Sequence, residues 1–178
     1  MPARVHELQT ARLTLRRWRP DDLPPLAAIY ADADVMRYIG DGSVRSWDET
    51  AASIASMERD WNERGYGLFA VELRDGAQLA GWVGLSVPNF LPEVLPAVEI
   101  GWRLGRGFWG CGYATEAARE VLRFGFDDVG LDRIISIRHV DNVASARVMA
   151  KLGMLPDRVT SVPAHGRPVQ VMALTRNA

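Results

Sequence analysis

Glycines crowd into one short segment that separates a stretch of alternating residues from a helical one. The segment reads Gly105-Arg-Gly-Phe-Trp-Gly-Cys-Gly112, and Tyr113-Ala-Thr-Glu-Ala117 follows it. A phosphate group binds best where backbone N–H groups converge without side chains in the way, and the N-terminus of a helix adds partial positive charge. The spacing therefore indicates a turn that can hold a diphosphate, with Arg106 as an added cation at its mouth.

The glycine turn also has three competing interpretations. Residues 105–110 match the dinucleotide-binding pattern G-x-G-x-x-G, and Asp132 lies about where that fold places its ribose-binding acid. The first strand of that fold is continuously apolar, whereas the strand before this turn carries Glu99 and Arg103. A P-loop is excluded because Cys111 stands where a lysine is required. A tight turn with no ligand stays open.

A polar pair, Asn142 and Ser145, lies one predicted strand further along the chain. In the simplest interpretation, Asn142 is the N-cap of a short helix and Ser145 is its third residue. In the second, the pair bonds the amide arm or the sulfur of a cofactor that lies between two helices. Combined with a diphosphate turn, the second interpretation indicates a site for a nucleotide-tailed thioester.

Apolar residues at alternating spacing predict the strands, and apolar residues at helical spacing predict the helices. The predicted strands are 13–18, 66–73, 78–87, 97–104, 133–139, 155–162 and 168–175. The predicted helices are 20–30, 47–64, 114–128 and 143–152, and residues 88–96 are expected to form an exposed loop. This order is typical of a mixed α/β protein with one central sheet.

Size and composition bound the class of protein. The chain has 178 residues, of which 48% are hydrophobic and 24% charged, and its formal net charge is −1. These values predict one globular domain over residues 1–178 and give no indication of a nucleic-acid or membrane partner. One cysteine, Cys111, excludes an intramolecular disulfide and a cysteine-rich zinc site, so we expect no metal. No signal-peptide core or spanning run is evident, and we expect a cytoplasmic protein.

Taken together, the motifs resemble those of the GNAT superfamily of acyl-CoA-dependent N-acetyltransferases, and most closely its RimJ/RimL branch of ribosomal-protein N-terminal acetyltransferases. The likeness covers nearly the whole chain, and it is specific because its motifs occur jointly and in the right order. The motifs are Thr10-Ala-Arg-Leu-Thr-Leu-Arg16, Gly81-Trp-Val-Gly84, Glu99-Ile-Gly-Trp102, Phe108-Trp-Gly-Cys-Gly-Tyr-Ala-Thr-Glu-Ala117, Asn142-Val-Ala-Ser145 and Lys151-Leu-Gly153.

The resemblance implies an α/β (α+β) GNAT fold with acetyl-CoA as cosubstrate. The expected sheet is single, mixed and mostly antiparallel, with about seven strands, about four flanking helices and two strands splayed at the cofactor site. Leu104 would close the splayed strand, Asn142 would bond the pantetheine arm, and Ser145 would lie near the thioester sulfur. The implied cofactor-binding residues are Leu104, Arg106, Gly107, Gly110, Cys111, Gly112, Tyr113, Ala114, Thr115, Asn142 and Ser145.

Acetylation of an amine requires removal of a proton, because α-amino groups titrate near 8 and lysines near 10.4. Glu99 is the expected catalytic base, since a carboxylate is rarely placed in an otherwise apolar strand unless it has a specific role there. A structural carboxylate is the alternative. A strand N–H near Trp102 or Arg103 is the expected donor to the charge that develops on the acyl oxygen.

Two positions depart from the family's pattern. Many relatives have Gln or Arg where this chain has Gly107, so one phosphate contact is in doubt and Arg106 is the expected substitute. Many relatives protonate the leaving thiolate with a Tyr where Met149 stands here, which leaves Ser145 or water for that task. The resemblance implies direct transfer in a ternary complex, and we interpret Cys111 as a small turn residue.

The resemblance also implies which residues lie near the acceptor. Trp47, Phe90 and Trp102 lie where relatives line the acceptor groove, and His165 lies in the last hairpin. We expect a primary amine as acceptor: a protein N-terminus, an aminoglycoside, a polyamine or an amino-acid-like metabolite. A catalytically silent CoA-binding module is the alternative. Relatives are often dimers, so a homodimer is compatible with the sequence.

Overall fold

The computed structural model of the chain describes residues 7–177. Within them, one sheet of eight strands is flanked by five α-helices. The strands are β1 (Glu7–Gln9), β2 (Leu13–Arg16), β3 (Leu68–Leu73), β4 (Leu79–Ser86), β5 (Glu99–Leu104), β6 (Arg133–His139), β7 (Leu155–Ser161) and β8 (Pro168–Thr175). The helices are α1 (Leu23–Tyr30), α2 (Ala33–Met36), α3 (Trp47–Arg64), α4 (Tyr113–Arg123) and α5 (Val143–Lys151). The strand order is β1-β2-β3-β4-β5-β6-β8-β7, and every neighbouring pair is antiparallel except β5 and β6.

This architecture confirms the predicted fold class, and all seven predicted strands are present. The sequence missed β1 and α2, because elements of three and four residues are too short to show a period. In the loop expected to be exposed, Pro92–Val94 forms a 3₁₀ turn and Leu91 is fully buried.

For two of the helices, one end in the structure differs from the predicted end. Pro20–Asp22 is a 3₁₀ turn, and α1 begins at Leu23. The helix predicted over 114–128 is α-helical to Arg123 and finishes as a π-helical turn over Phe124–Asp128. This turn sets Gly125 against β6, where a Cβ atom would lie 2.8 Å from Ile134 Cδ1. Close packing, which the apolar spacing does not report, therefore decides how this helix ends.

Side chains of β3 and β4 alternate between two cores, one on each face of the sheet. One core joins the sheet to α4 and contains Leu15, Phe69, Val83, Ile100, Leu104, Ala117 and Val121. The other joins the sheet to α1 and α3 and contains Leu26, Tyr30, Met57, Ala70 and Trp82. Successive residues of β5 therefore face different layers. A third, smaller core contains Leu91, Ile135, Val162, Val169 and Val171.

Strands β5 and β6 pair at one end and part at the other. Their one register pair among the described residues is Glu99 with Ile135. The Ile135 N–H donates to the Val98 carbonyl over 3.0 Å, and the Ser136 hydroxyl donates to the Ile100 carbonyl over 2.8 Å. Beyond this point β5 and β6 have no further register pair among the described residues. On its other edge, β6 pairs with β8 along its whole length, from Arg133 to His139. The splayed strands that the resemblance implies are thus present in the structure.

The spacing of Gly81 and Gly84 in β4 has a steric cause. A Cβ atom on Gly81, whose φ is +141°, would lie 2.1 Å from the Arg103 carbonyl oxygen. A Cβ atom on Gly84 would lie 2.3 Å from the Gly67 carbonyl oxygen and 2.4 Å from Leu68 Cα. Both obstacles are backbone atoms, which cannot rotate away as a side chain can. Glycine at these two positions lets β4 pack closely against β3 and β5.

We expect Gly84→Ala to lower the free energy of unfolding by about 2 kcal/mol or more, because the new methyl group overpacks a backbone contact. For a chain of this size, that loss corresponds to a Tm about 4–8 °C lower. The matched control is Gly107→Ala, since a Cβ atom there meets nothing within 4 Å. Equal Tm values for the two variants would contradict this account of β4.

Candidate active site

A groove of about 690 Å³ opens where β5 leaves β6. Residues 102–104 of β5 form one side of it, together with residues 108–110 and 112–115 of the glycine turn and the start of α4. Residues of α5 between 141 and 151 form a second side, and residues 34–39 around α2 form a third. The groove therefore brings together the two motifs that the sequence places far apart, the glycine turn and the Asn142/Ser145 pair.

The glycine turn presents bare backbone to this groove. Gly110 and Gly112 adopt left-handed φ values of +71° and +82°, which favour glycine. Gly112 is the N-cap of α4, and no side chain caps this helix end. Helix α3 differs, because Ser46 and Glu49 form a capping box there. The first N–H groups of α4 thus remain available for an anion in the groove.

The turn is held in place by a segment from the start of the described chain. The Thr10 hydroxyl and the Arg12 N–H donate to Glu116 Oε1 over 2.6 and 2.9 Å, and Arg12 Nε donates to Glu116 Oε2 over 2.7 Å. Arg12 Nη1 donates to the Cys111 carbonyl over 2.9 Å, and its guanidinium lies 4.5 Å from the centre of the Tyr113 ring. Arg12 therefore links the glycine turn to the first turn of α4.

The charge state of Glu116 follows from these bonds. Burial would raise the pKa of its carboxyl, but the donors on Thr10 and Arg12 outweigh burial and hold that pKa below its usual value. Glu116 is thus an anion near neutral pH, bonded to a cation and a hydroxyl. We call Thr10, Arg12 and Glu116 the turn clamp.

The structure brings most of the predicted cofactor residues to the groove. Those that line it are Leu104, Gly110, Gly112, Tyr113, Ala114, Thr115, Asn142 and Ser145. Arg106, Gly107 and Cys111 are exposed and lie outside the groove lining. Arg106 forms ion pairs with Asp32 over 3.2 Å and with Asp34 over 2.9 Å.

Asn142 and Ser145 have the geometry both of a helix cap and of a pair that can contact a cofactor. Asn142 Oδ1 accepts the Ser145 N–H over 3.1 Å, which is an N-cap bond. The two residues also line the groove. The cap bond leaves the Asn142 amide nitrogen and the Ser145 hydroxyl as groups that a ligand could reach.

The groove contains cations that the sequence analysis missed. Arg147 and Lys151 lie one turn apart on α5 and line the groove, and Arg37, the residue after α2, also lines it. The i, i+4 spacing of Arg147 and Lys151, shortly after Asn142, is a signal that could have been found in the sequence. With the open end of α4, they make this part of the groove suited to phosphate groups.

The wall of the groove near α2 is fastened across the parted strands. Arg167, from the β7–β8 hairpin, donates to the Arg37 carbonyl over 2.7 Å and to the Gly40 carbonyl over 2.8 Å. The Tyr38 ring lies 5.3 Å from the ring of His139 at the end of β6. His165 lies in the same hairpin, where its Nδ1 accepts the Arg167 N–H.

Glu99 lies on the β5 face opposite α4, because Ile100 and Leu104 pack in the α4 core and Arg103 packs on Tyr30 and Trp82. Its carboxyl is partly buried, and the Ser86 hydroxyl donates to its Oε1 over 3.4 Å. Burial raises the pKa of Glu99 to about 8, against the smaller lowering effects of Ser86 and Arg103. The carboxyl is therefore mostly protonated at neutral pH.

The remaining predicted residues are more dispersed. Trp102 lines the groove, whereas Trp47 and Phe90 are 53% and 45% exposed and lie outside its lining. Met149 is 1% exposed and packs in the α4 core. Cys111 has an exposed thiol.

No helix between residues 7 and 177 is both long and apolar enough to cross a membrane. The same part of the chain has no group of three or more His, Cys, Asp or Glu side chains placed to hold a metal ion.

Comparison with known proteins gives a consistent family. Residues 12–155 match the family model described as the acetyltransferase (GNAT) domain. The chain is 33% identical over 147 residues to the uncharacterized N-acetyltransferase YnaD of Bacillus subtilis (strain 168), which covers 83% of this chain and 81% of that protein. It is 32% identical over 152 residues to the FsC-acetyl coenzyme A-N(2)-transacetylase of Aspergillus fumigatus, covering 83% of this chain and 64% of that protein.

A solved structure shows the same likeness. The acetyltransferase (GNAT family) from Bacillus anthracis superposes with a TM-score of 0.81 and 26% identity, covering 97% of this chain and 99% of that one.

We expect Glu116→Gln to lower the free energy of unfolding by about 1–2 kcal/mol at pH 7, because it weakens charge-assisted bonds in the turn clamp. The lowered pKa of Glu116 means that its contribution is present above the usual carboxyl range and is lost as the pH falls through the folded-state pKa. Urea unfolding at pH 7 and in acid should therefore show the difference between wild type and variant shrinking with the pH.

The control for the turn clamp is Glu120→Gln, which alters an exposed i, i+3 pair with Arg123 on the same helix. We expect a loss of only a few tenths of a kcal/mol from it. If the two variants were equally stable at pH 7, the turn clamp would not be a stabilising feature.

Proposed function

The chain belongs to the GNAT family of acetyltransferases, and from that premise we propose that it transfers the acetyl group of acetyl-CoA directly to a primary amine in a ternary complex. The observation that carries the proposal is the groove between the parted strands β5 and β6, into which an uncapped helix N-terminus opens. Acetyl-CoA supplies an activated acetyl group as a thioester. The residues of the chain bind, orient and exchange protons around it.

The donor set of the groove fits such a cosubstrate. The bare amides of Tyr113, Ala114 and Thr115 suit a diphosphate, and Arg147 and Lys151 add positive charge beside them. Asn142 has an amide nitrogen left to bond the pantetheine arm. A groove of about 690 Å³ lies within the range of about 300–1,000 Å³ found for cofactor sites.

The backbone of Trp102 is our candidate donor to the acyl oxygen. Along β5, the Val98 and Ile100 carbonyls point towards β6, and because a strand alternates, Trp102 turns its N–H and carbonyl the same way. No residue of β6 is in register with Trp102. The next carbonyl on that edge, of Leu104, already accepts the Trp109 indole N–H over 2.9 Å. The Trp102 N–H is thus the strand donor best placed to stabilise charge that develops on the acyl oxygen.

Glu99 is our candidate base. A general base is most effective when its pKa lies near the pKa of the proton it removes and near the working pH. Burial gives Glu99 a pKa of about 8, close to that of an α-amino group. Because Glu99 lies outside the groove lining, we infer that a water molecule relays the proton. Ser145 or water then protonates the leaving thiolate, because Met149 is buried away from the groove.

We also propose that the chain belongs to the RimJ/RimL branch of the family. The opening segment Thr10–Arg16 and the Tyr113–Ala117 helix start support the RimJ/RimL branch, and the turn clamp joins these two segments physically. We further propose one acetyltransferase domain over residues 1–178 that works in the cytoplasm, with homodimer formation compatible with this proposal.

The proposed function is tested first by binding and turnover. At about 100 times its dissociation constant, acetyl-CoA should add about 2.7 kcal/mol of stability, which raises the Tm by about 5–10 °C for this size. Free CoA should act similarly and NAD should not. Thiol release with a panel of primary amines then measures transfer. Absence of a shift with either CoA species would overturn the proposal, whereas a shift without thiol release would favour a silent binding module.

We expect Glu99→Gln to lower kcat by about 100-fold or more, because it removes the general base. The wild-type kcat/KM should rise with pH through about 8, since the base acts only when ionised. The variant should lose this limb and keep only the limb due to the acceptor amine. Its Tm at pH 7 should be retained, because Gln resembles the protonated carboxyl in shape.

Ser86→Ala is the control for Glu99. Its hydroxyl lowers the pKa of Glu99, so its removal should move the rising limb to higher pH without abolishing it. A pH profile that is unchanged in both variants would exclude Glu99 as the base.

A further inference from the structure

Arg103 occupies an unusual position in β5. Its guanidinium carbon lies 4.9 Å from the centre of the Tyr30 ring and 5.1 Å from that of the Trp82 ring. The Tyr30 hydroxyl accepts the Trp82 indole N–H over 2.9 Å, which fixes the two rings relative to each other. The guanidinium is thus held on a rigid aromatic surface, and its residue lines the groove.

This cation has no anionic partner of its own among residues 7–177. Arg103 Nε is buried and has no hydrogen-bond acceptor, and no carboxylate of the described chain lies within 4.0 Å of the guanidinium. Arg16 shows the contrast, because its buried guanidinium is bonded by Asp22 and Glu72 over 2.8–3.1 Å. A buried guanidinium N–H without an acceptor is costly to the folded protein. An anion from outside the chain would remove that cost.

The surroundings of Arg103 favour an anion over a cation. Arg45 lies 5.7 Å from the same Tyr30 ring. Burial lowers the pKa of Arg103 most, Tyr30 opposes this effect, and the positive charge of Arg45 lowers the pKa further. Of the acids near the groove, Asp34 is paired with Arg106 over 2.9 Å. Glu99 lies on the same face of β5 as Arg103, four residues earlier, and is mostly protonated at neutral pH.

We propose that the acceptor is an amine that also carries a carboxylate, and that Arg103 binds this carboxylate while the amine is delivered towards Glu99. The inference rests on the proposed acetyl transfer and names its substrate class. Arginine binds carboxylates through two parallel N–H bonds, and a planar surface beneath it keeps that geometry. Polyamines and aminoglycosides, which carry several positive charges, are disfavoured beside Arg103 and Arg45.

The spacing along β5 bears on the shape of the acceptor. Four strand residues separate the Cα atoms of Glu99 and Arg103 by about 13 Å. This separation fits an amine and a carboxylate that lie several bonds apart, as in an ω-amino acid or a short peptide. A free α-amino acid would have both groups on one carbon and could not reach both ends directly.

The test compares acceptors of equal length. The kcat/KM for thiol release is measured with 5-aminopentanoate, 5-aminopentanamide, pentylamine and 1,5-diaminopentane, and with the longer ω-amino acids of six to eight carbons. We expect the best carboxylate acceptor to exceed its matched neutral amine by about 10- to 100-fold. The diamine should be the poorest. Equal values across the matched set would overturn the inference while leaving acetyl transfer intact.

Variants locate the effect. Arg103→Met should remove the advantage of the carboxylate acceptors, so that within this variant their kcat/KM equals that of the matched neutral amine, and Arg103→Lys should keep part of the advantage. Arg17→Met is the matched control, because Arg17 also lies over an aromatic ring, that of Trp61 on α3, but does not line the groove. A rise only in the KM for acetyl-CoA in Arg103→Met would contradict the inference, because the guanidinium would then serve the cosubstrate.

A binding experiment separates this inference from the proposed function. Calorimetric titration of N-acetyl-5-aminopentanoate into the protein with CoA present requires no turnover. Binding to wild type that is about 10-fold or more weaker in Arg103→Met supports the carboxylate site even if no amine is acetylated. Binding equally weak in both proteins overturns it.

Discussion

The parting of β5 from β6 is the constraint on which the site depends. A sheet that paired throughout would satisfy its own backbone groups and leave no place for a ligand. Here the pairing stops after Ile100, while β6 stays fully paired with β8. The exposed edge at Trp102 can therefore accept an extended, amide-bearing ligand in place of a strand. The glycine turn, α5 and the wall near α2 all contribute to the space that this gap creates.

Alternation along β5 gives one strand three distinct surroundings. Ile100 and Leu104 face the core under α4, so they fix the strand against the helix that begins at the glycine turn. Glu99 and Arg103 face the other layer, where Tyr30 and Trp82 lie. The backbone of Trp102 faces the gap between β5 and β6. Because alternate side chains of β5 point to opposite faces and its backbone points to the edge, one strand can hold the proposed cosubstrate, acceptor and proton-transfer groups in different places.

The strands and the longer helices could be predicted from the sequence where they have a local cause, such as alternating apolar and polar residues in β2, the Ser46/Glu49 capping box at α3 and glycines at the turn before α4. The π-helical turn at Phe124–Asp128 could not, because packing of Gly125 on β6 decides it. Most of the groove's backbone contributors were also predicted. The turn clamp and the unpaired state of Arg103 were not, because each depends on which distant side chains meet, or fail to meet, in space.

The turn clamp also bears on the order in which the site can form as the chain is made. Arg12 and its partner Glu116 are 104 positions apart, so the ribosome releases one end of this contact long before the other exists. Until then, the Arg12 guanidinium has no Glu116 to bind, although β2 can already pair with β3, which ends at Leu73. The diphosphate turn therefore acquires its final shape late in synthesis. Nascent chains that stop short of α4 would have no pre-formed cosubstrate site, so the cofactor cannot assist the early steps of folding.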